Sequence, residues 1–287
     1  MKPILKWAGG KRKYLSKITG FFPQSYNSYH EPFVGAGAVF FSMESDTATI
    51  NDLNSRLMRF YKVVRDCPDD LIEENKKHEH SEEYFYQARE EFNELLSSVH
   101  TDQDRVREAS LLLYLNRTCY NGLYRVNSDG EFNTSFGRIK NPNWVQTTRI
   151  QSASRLLQNT RMLNKDFKYV LDDTSKGDLV YFDPPYKPRS KTADFTQYTD
   201  EGFDQDDQRR LRDTVVELTE NNVSVILTNT PSVTELYEKY DVFTIRYVDV
   251  RQPINSDPNG RGEKKEALIT SVQEEDRVSK TLSNFTE

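Results

Sequence analysis

Four apolar residues followed by a carboxylate and two prolines, Leu179-Val180-Tyr181-Phe182-Asp183-Pro184-Pro185, constrain this chain more than any other stretch. The apolar four suit the centre of a sheet covered on both faces, the environment of a parallel strand. Pro184 and Pro185 lack the N–H that a ladder requires, so the strand stops at Asp183. In an open α/β sheet, ligands sit at the carboxyl ends of strands, which places Asp183, Pro184, Pro185 and Tyr186 at the edge of a site. Taken alone, a Pro-Pro pair is most often just a rigid strand-to-loop turn. The rest of the chain has to decide.

Two further stretches repeat the logic. "SYHEPFVGAGAVFF" reads as a strand ending near Phe33, a tight turn at Gly35-Ala36-Gly37 and a helix from about Ala38. "TATIND", Thr47 to Asp52, is a second strand with a carboxylate at its carboxyl end, roughly where a ribose-binding acid follows a glycine turn. Later, "DLVYFD", the helix "DQDDQRRLRDTVVELTEN", "VSVILTNT", "DVFTIRYVDV" and "EALITS" alternate strand and helix, which predicts a mostly parallel sheet with helices on both faces. Between these halves, from about Leu57 to Asn164, the pattern changes to acidic amphipathic helices, an apolar helix "REASLLLYL" and a polar, aromatic segment. That is the signature of an inserted lobe, and 287 residues suffice for one large domain or two unequal lobes. Within it, the Asp-Gly of "NSDGEF" between "LYRV" and "FNTSF" predicts a β-hairpin.

A net charge of −6 argues against a uniformly basic nucleic-acid binder, but the charge is unevenly spread. From Asp66 to Glu108 there are fourteen acids and five bases, whereas from Leu111 to Lys165 there are eight bases and two acids. Lys2, Lys6, Lys11, Arg12 and Lys13 add a basic amino terminus. Such runs are usually solvated faces, yet these are interleaved with aromatics and Asn, which suits phosphate and base contacts. Cys67 and Cys119 lie far apart and form no metal or disulfide pattern. His78 and His80 lie two apart in an acidic stretch read as helical, where they would face different ways, so no metal is expected. No apolar run reaches bilayer length and "MKPILKWAGG" is too short in apolar residues for a secretory signal, which predicts a cytoplasmic protein without membrane attachment. The carboxyl-terminal "EEDRVSKTLSNFTE" is the segment expected to be poorly ordered.

"FVGAG" lacks the third glycine of the dinucleotide fingerprint, and a close backbone approach without a pyrophosphate cradle suits S-adenosylmethionine better than NAD. In "WAGGKRKY" Arg12 follows Lys11 where a phosphate loop needs Ser or Thr, which rejects a nucleotide triphosphatase.

Taken together, "LKWAGGK", "EPFVGAG", "NDLN", "YLNRTCYNGLYRVN", "GEFN", "FGR", "DPPY" and "ADFTQY", in this order over nearly the whole length, resemble the Dam-type (D12 class) DNA adenine-N6 methyltransferases. The resemblance implies a Rossmann-like methyltransferase α/β fold. Residues 1–56 and 165–275 would form the catalytic domain, 57–164 a target-recognition lobe and 276–287 a tail. It implies S-adenosylmethionine contacts from Trp7, Lys11, Phe33, Gly35, Gly37, Asp52 and Asp183, with Asp166 and Phe167 receiving the adenine. It implies double-stranded DNA as partner, held by Lys6, Tyr120, Asn121, Leu123, Arg125, Ser135 and Arg138, in a monomer or weak dimer. Tyr120, Asn121 and Leu123 would fill the gap left by a flipped base, and the arginines and Lys6 would read bases.

The opening motif then acquires a chemistry. The exocyclic amine of adenine is a poor nucleophile because its lone pair is delocalised into the ring. With the Asp183 carboxylate and the Pro184 carbonyl accepting its two N–H bonds, the nitrogen can pyramidalise, while Tyr186 offers a stacking face. Amino-directed chemistry on RNA adenine or cytosine N4 uses the same kind of motif, and an inactive DNA-binding regulator of the same fold is the reading from another class. Asp183 favours adenine and the hairpin favours duplex DNA. At the reader, many members carry Val-Pro and an aromatic where this chain has Thr134-Ser135 and Ile139, so GATC is an expectation borrowed from the resemblance.

Overall fold

The protein, as a computed structural model, is described over residues 1–43, 45–96, 101–185, 203–250 and 264–278. Its elements in chain order are α1 (Leu15–Thr19), β1 (Tyr29–Glu31), α2 (Phe40–Met43), β2 (Ala48–Asn51), α3 (Ser55–Asp66), α4 (Pro68–Asn75), α5 (Glu82–Glu94), α6 (Asp102–Thr118), α7 (Thr147–Leu157), β3 (Thr160–Leu163), α8 (Tyr169–Asp173), β4 (Leu179–Phe182), α9 (Gln205–Glu220), β5 (Ser224–Asn229), β6 (Thr244–Val250) and β7 (Lys264–Thr270). The strands hydrogen-bond in the order β3-β2-β1-β4-β5-β7-β6. The pairs β2–β3, β1–β4 and β4–β5 are parallel, and β7 runs antiparallel to both β5 and β6. Contacts gather the chain into two compact units. Of the described residues, one comprises 1–11 and 34–166, the other 12–33, 167–185, 203–250 and 264–278.

In the second unit all four residues of β4 are buried, as a continuous apolar run between two parallel neighbours requires. β1 ends at Glu31 instead of Phe33, because Pro32 has no N–H to continue the ladder. α9 starts in a capping box, with Asp204 accepting from the backbone of Asp206 and Asp207 while Asp207 accepts from the Asp204 N–H. Leu211, Val215 and Leu218, spaced four and three apart, form its buried stripe.

In the first unit α6 is buried on nearly every side and packs against α3, α4 and α5. Its start is a capping box between Thr101 and Asp104. The expected helix near Ala38 begins instead at Phe40, since Gly37 takes a left-handed φ of 68°. The hairpin forms as single bridges, Val126 with Phe132 and Cys119 with Phe136, in place of continuous strands. Its turn is organised by Asn127 Oδ1, which accepts from the N–H groups of Asp129 and Glu131.

His78 and His80 lie in the loop between α4 and α5, not on a helix, because α4 ends at Asn75 and Ser81 caps α5. His78 stacks on Tyr114 at 4.5 Å and bonds Tyr84 Oη and Ser110 Oγ, both at 2.9 Å. Burial, reinforced by the Arg107 charge, lowers its pKa from 6.5 to about 4. A folded pKa below the unfolded one means that this stability is complete above pH 6.5 and is lost as pH falls toward 4. The loss amounts to about 3 kcal/mol. Urea unfolding at neutral pH and at about pH 4.5 should show most of that loss, and His78→Gln should remove this part of the slope.

Candidate active site and DNA-binding surface

In the first unit the glycine turn, the end of β2 and the amino-terminal segment meet. Gly35 has a φ of 47°, and a Cβ there would stand 2.9 Å from Trp7 Cδ1, so glycine is required both by the backbone and by the indole lying against it. Gly37 is required in the same way, since its Cβ would stand 2.9 Å from the Phe41 ring. Tyr61 Oη donates to the Gly35 carbonyl at 2.7 Å. Asp52, immediately after β2, accepts from Gly35 N–H through Oδ2 at 3.1 Å and from Asn54 N–H through Oδ1 at 2.9 Å. Asn164 Nδ2 donates to the carbonyls of Asp52 and Leu53, which pins this strand end. Burial raises the Asp52 pKa to about 6, although both backbone bonds oppose the rise. Each carboxylate oxygen, with one donor, retains a lone pair for a further hydroxyl.

Trp7 stacks on Tyr124 of the hairpin at 5.0 Å and 20°. The neighbouring Lys6 is exposed, and its backbone N–H and carbonyl are both bonded by the buried amide of Asn116 at 2.8 Å. Gly122 is needed where the Lys6 side chain crosses it, a Cβ there falling 2.2 Å from Lys6 Cδ. Desolvation, then the Arg117 charge, holds the Lys6 pKa below its ordinary value. Lys11 is buried and donates to the Gly9 carbonyl at 3.1 Å.

Of the other sequence-predicted DNA contacts, Tyr120 is 58% exposed, and Asn121 beside it takes a left-handed φ of 55°. Leu123 is half-buried, and its carbonyl accepts from Thr134 Oγ1 at 2.8 Å. Ser135 is exposed and its carbonyl accepts from Tyr120 N–H at 2.8 Å. Arg138 is exposed, with a φ of 48°, and comes within 3.5 Å of Glu82. Arg125 is held more firmly, Nε donating to Asn133 Oδ1 at 2.6 Å and Nη2 to the Asn133 carbonyl at 3.2 Å.

The second unit carries Asp183, Pro184 and Pro185 at the carboxyl end of β4, next to the parallel end of β1. The carboxyl ends of parallel strands are where ligands sit in an open α/β sheet. Pro184 is buried, Pro185 is exposed, and Asp183 Oδ1 accepts from Thr228 Oγ1 at 2.9 Å. Phe33 packs with Phe167 at 5.5 Å, Phe182 at 6.4 Å and Phe203 at 5.7 Å, with Arg210 over the Phe167 ring. Asp166 precedes Phe167 in the chain but belongs to the first unit. Tyr186 and "ADFTQY" lie outside the described residues. Among the described residues no group of three or more His, Cys, Asp or Glu could hold a metal, and no helix is long and apolar enough to cross a membrane.

Sequence reasoning did not single out Thr228, Phe203, Tyr61, Tyr124 or Asn116. For Thr228 the one available signal was position, since "TNT" makes the carboxyl end of β5 polar after three apolar residues.

A strand order in which β7 enters antiparallel between β5 and β6, together with a glycine turn bonded to an acid after β2, defines a Rossmann-like methyltransferase. The comparisons narrow the class. Residues 7–254 match the model of the D12 class N6 adenine-specific DNA methyltransferases. A Type II methyltransferase of Lactococcus lactis subsp. cremoris, M1.LlaDCHI, is 38% identical over 277 residues, covering 94% of this chain and 95% of the relative. The Type II methyltransferase M.MjaIII of Methanocaldococcus jannaschii is 39% identical over 273 residues, covering 89% and 93%. The DNA adenine methylase of Escherichia coli K12 is 35% identical over 268 residues, covering 92% of each. The chain belongs to the D12 class N6 adenine-specific DNA methyltransferases. It is an enzyme that methylates adenine N6 in DNA with S-adenosylmethionine as methyl donor.

Proposed function

We propose that the enzyme acts on duplex DNA at GATC, flipping the target adenine out of the stack, with Asp183 and the Pro184 carbonyl accepting its two N–H bonds. What most supports this is the position of the Asp183 carboxylate just beyond the carboxyl end of β4, between parallel neighbours. When bound, S-adenosylmethionine would supply a sulfonium methyl to the N6 lone pair and leave as the neutral thioether, and N6 would shed one proton. Asp183 holds the amine so that its lone pair points at that methyl, and passes the shed proton on to solvent. Asp52 takes the ribose hydroxyls and Trp7, Lys11, Gly35 and Gly37 line the approach. The residues fit this ligand, because a backbone pressed against an indole and a desolvated carboxylate with spare lone pairs suit a cationic nucleoside with paired hydroxyls. Phe33, Phe167 and Asp166 are assigned to its adenine.

Segment 57–164 is the recognition lobe in this reading, 1–56 with 165–275 the catalytic part, and 276–287 a tail. Flipping costs a few kcal/mol, and Tyr120, Asn121 and Leu123 fill the gap. Lys6, Arg125, Ser135 and Arg138 make the DNA contacts. The enzyme works in the cytoplasm, where its DNA is, as a monomer or weak dimer. The Type II names of two relatives favour a role in restriction–modification.

Specificity is tested by methyl transfer on GATC and on each singly substituted duplex at fixed salt. The bonds to Asn133 already orient Arg125. Arg125→Ala is therefore expected to relax the preference at one base pair by roughly 1 to 3 kcal/mol. Exposed Arg138 makes the weaker case; if it touches only phosphate, Arg138→Ala lowers binding equally on all sequences and reduces the salt slope by about one. Equal rates on GATC and the substituted duplexes would remove GATC as the site.

A further inference from the structure

Beside Asp183 lies a hydrogen-bonded chain that the reaction as described leaves unused. β5 runs parallel to β4 with Tyr181 opposite Ile226 and Phe182 opposite Leu227, so one further step of the register sets Thr228 beside Asp183. Tyr181 Oη stands 2.9 Å from Thr228 Oγ1, and Thr228 Oγ1 donates to Asp183 Oδ1 at 2.9 Å. Tyr181 is 1% exposed and Thr228 2%, which keeps water from competing for either hydroxyl. An ionised carboxylate only accepts, so the Thr228 proton goes to Asp183 and Tyr181 gives its own to Thr228. Burial, then the charge of Asp183, pushes the Tyr181 phenol well above its ordinary pKa, so it remains a donor across the working range. Glu31, which accepts from Tyr29 Oη at 2.6 Å, and Glu266 on β7 also face Tyr181.

We propose that Thr228 is a positioning residue for methyl transfer, its hydroxyl, backed by Tyr181, holding Asp183 Oδ1 so that the carboxylate stays ionised and turned toward the target amine. The inference rests on the reading of Asp183 as the N6 acceptor. A carboxylate turns about a broad, nearly two-fold torsion, and a donor fixed on one oxygen sets the plane and therefore the direction of the other. A hydrogen bond to the charged form also favours that form, and a donor behind the donor strengthens it. The Phe182 carbonyl, 3.4 Å from Thr228 Oγ1, is the longer bond open to the hydroxyl when Asp183 is protonated.

The test is single-turnover transfer of tritiated methyl to an adenine-containing duplex across roughly pH 5 to 9, with separate binding measurements for S-adenosylmethionine and DNA. Thr228→Val, which keeps the shape and deletes the hydroxyl, should slow transfer about ten- to hundred-fold and move the acid limb of the profile to higher pH, with both affinities unchanged. Thr228→Ser should restore most of the rate, and Tyr181→Phe should shift the limb in the same direction by less. Wild-type transfer by Thr228→Val, equal losses in the Val and Ser variants, or a loss that appears as weaker binding would overturn the proposal. If the Val variant does not fold, an unmoved rate and acid limb in Tyr181→Phe overturn it as well. Asp183→Ala, run alongside, separates the two levels: if it is active the acceptor reading fails, and if it is inactive while Thr228→Val is normal only the present inference fails.

Discussion

Asp183→Ala should lower methyl transfer by about 10²- to 10³-fold or more, while DNA binding stays close to normal. The expectation comes from the difficulty of the nucleophile. A conjugated amine attacks only once its lone pair leaves the ring, and a preorganised acceptor stabilises the charge developing on the N–H as that happens; losing one such preorganised group typically costs this much. The contacts assigned to DNA lie on the amino-terminal segment and the hairpin, and the substitution leaves them in place. Asp183→Asn keeps an acceptor oxygen but removes the charge, so a small residual rate is expected. Single-turnover labelling with a parallel binding titration measures both quantities, and wild-type turnover by the Ala variant would end the mechanism.

Asp52→Ala should weaken S-adenosylmethionine about ten- to hundred-fold, the worth of a charged acceptor shared by paired hydroxyls. The raised pKa adds a signature of its own. Burial raises the Asp52 pKa to about 6. Hydroxyl donors favour the charged form, so the bound value must lie lower and binding must release a proton around that pH. Affinity should therefore fall as pH drops below about 6, by up to about tenfold per unit until the bound group itself protonates. Asp52→Asn should bind weakly at pH 8 and show a flatter profile. Calorimetry in two buffers of different ionisation enthalpy reads affinity and proton release together, and unchanged affinity in Asp52→Ala would mean that the ligand sits elsewhere.

Much of the fold could be read directly because its signals are local. The strand Leu179–Phe182 is ended by prolines, α9 is started by a capping box, and the hairpin turns at Asp129-Gly130. Each depends on residues only a few positions apart, whose backbone constraints act whatever the rest of the chain does. The departures are local too: Pro32 shortens β1, and the Ser81 cap leaves the acidic stretch around His78 as a loop.

The candidate site divides along the same line. By itself the sequence determined where the groups to which we assign the chemistry leave their strands: Asp183 ahead of its prolines, Asp52 after β2, and glycines where the chain must turn with positive φ. Only the tertiary structure decided what surrounds them. Thr228 reaches Asp183 across 45 residues through the register of β4 and β5, Asn116 ties down Lys6 across 110, and Trp7 finds Tyr124. Periodicity and turn chemistry report the direction of a side chain relative to its own element. They carry no information on which strand lies next to which, and a hydrogen bond of 2.9 Å depends on that pairing.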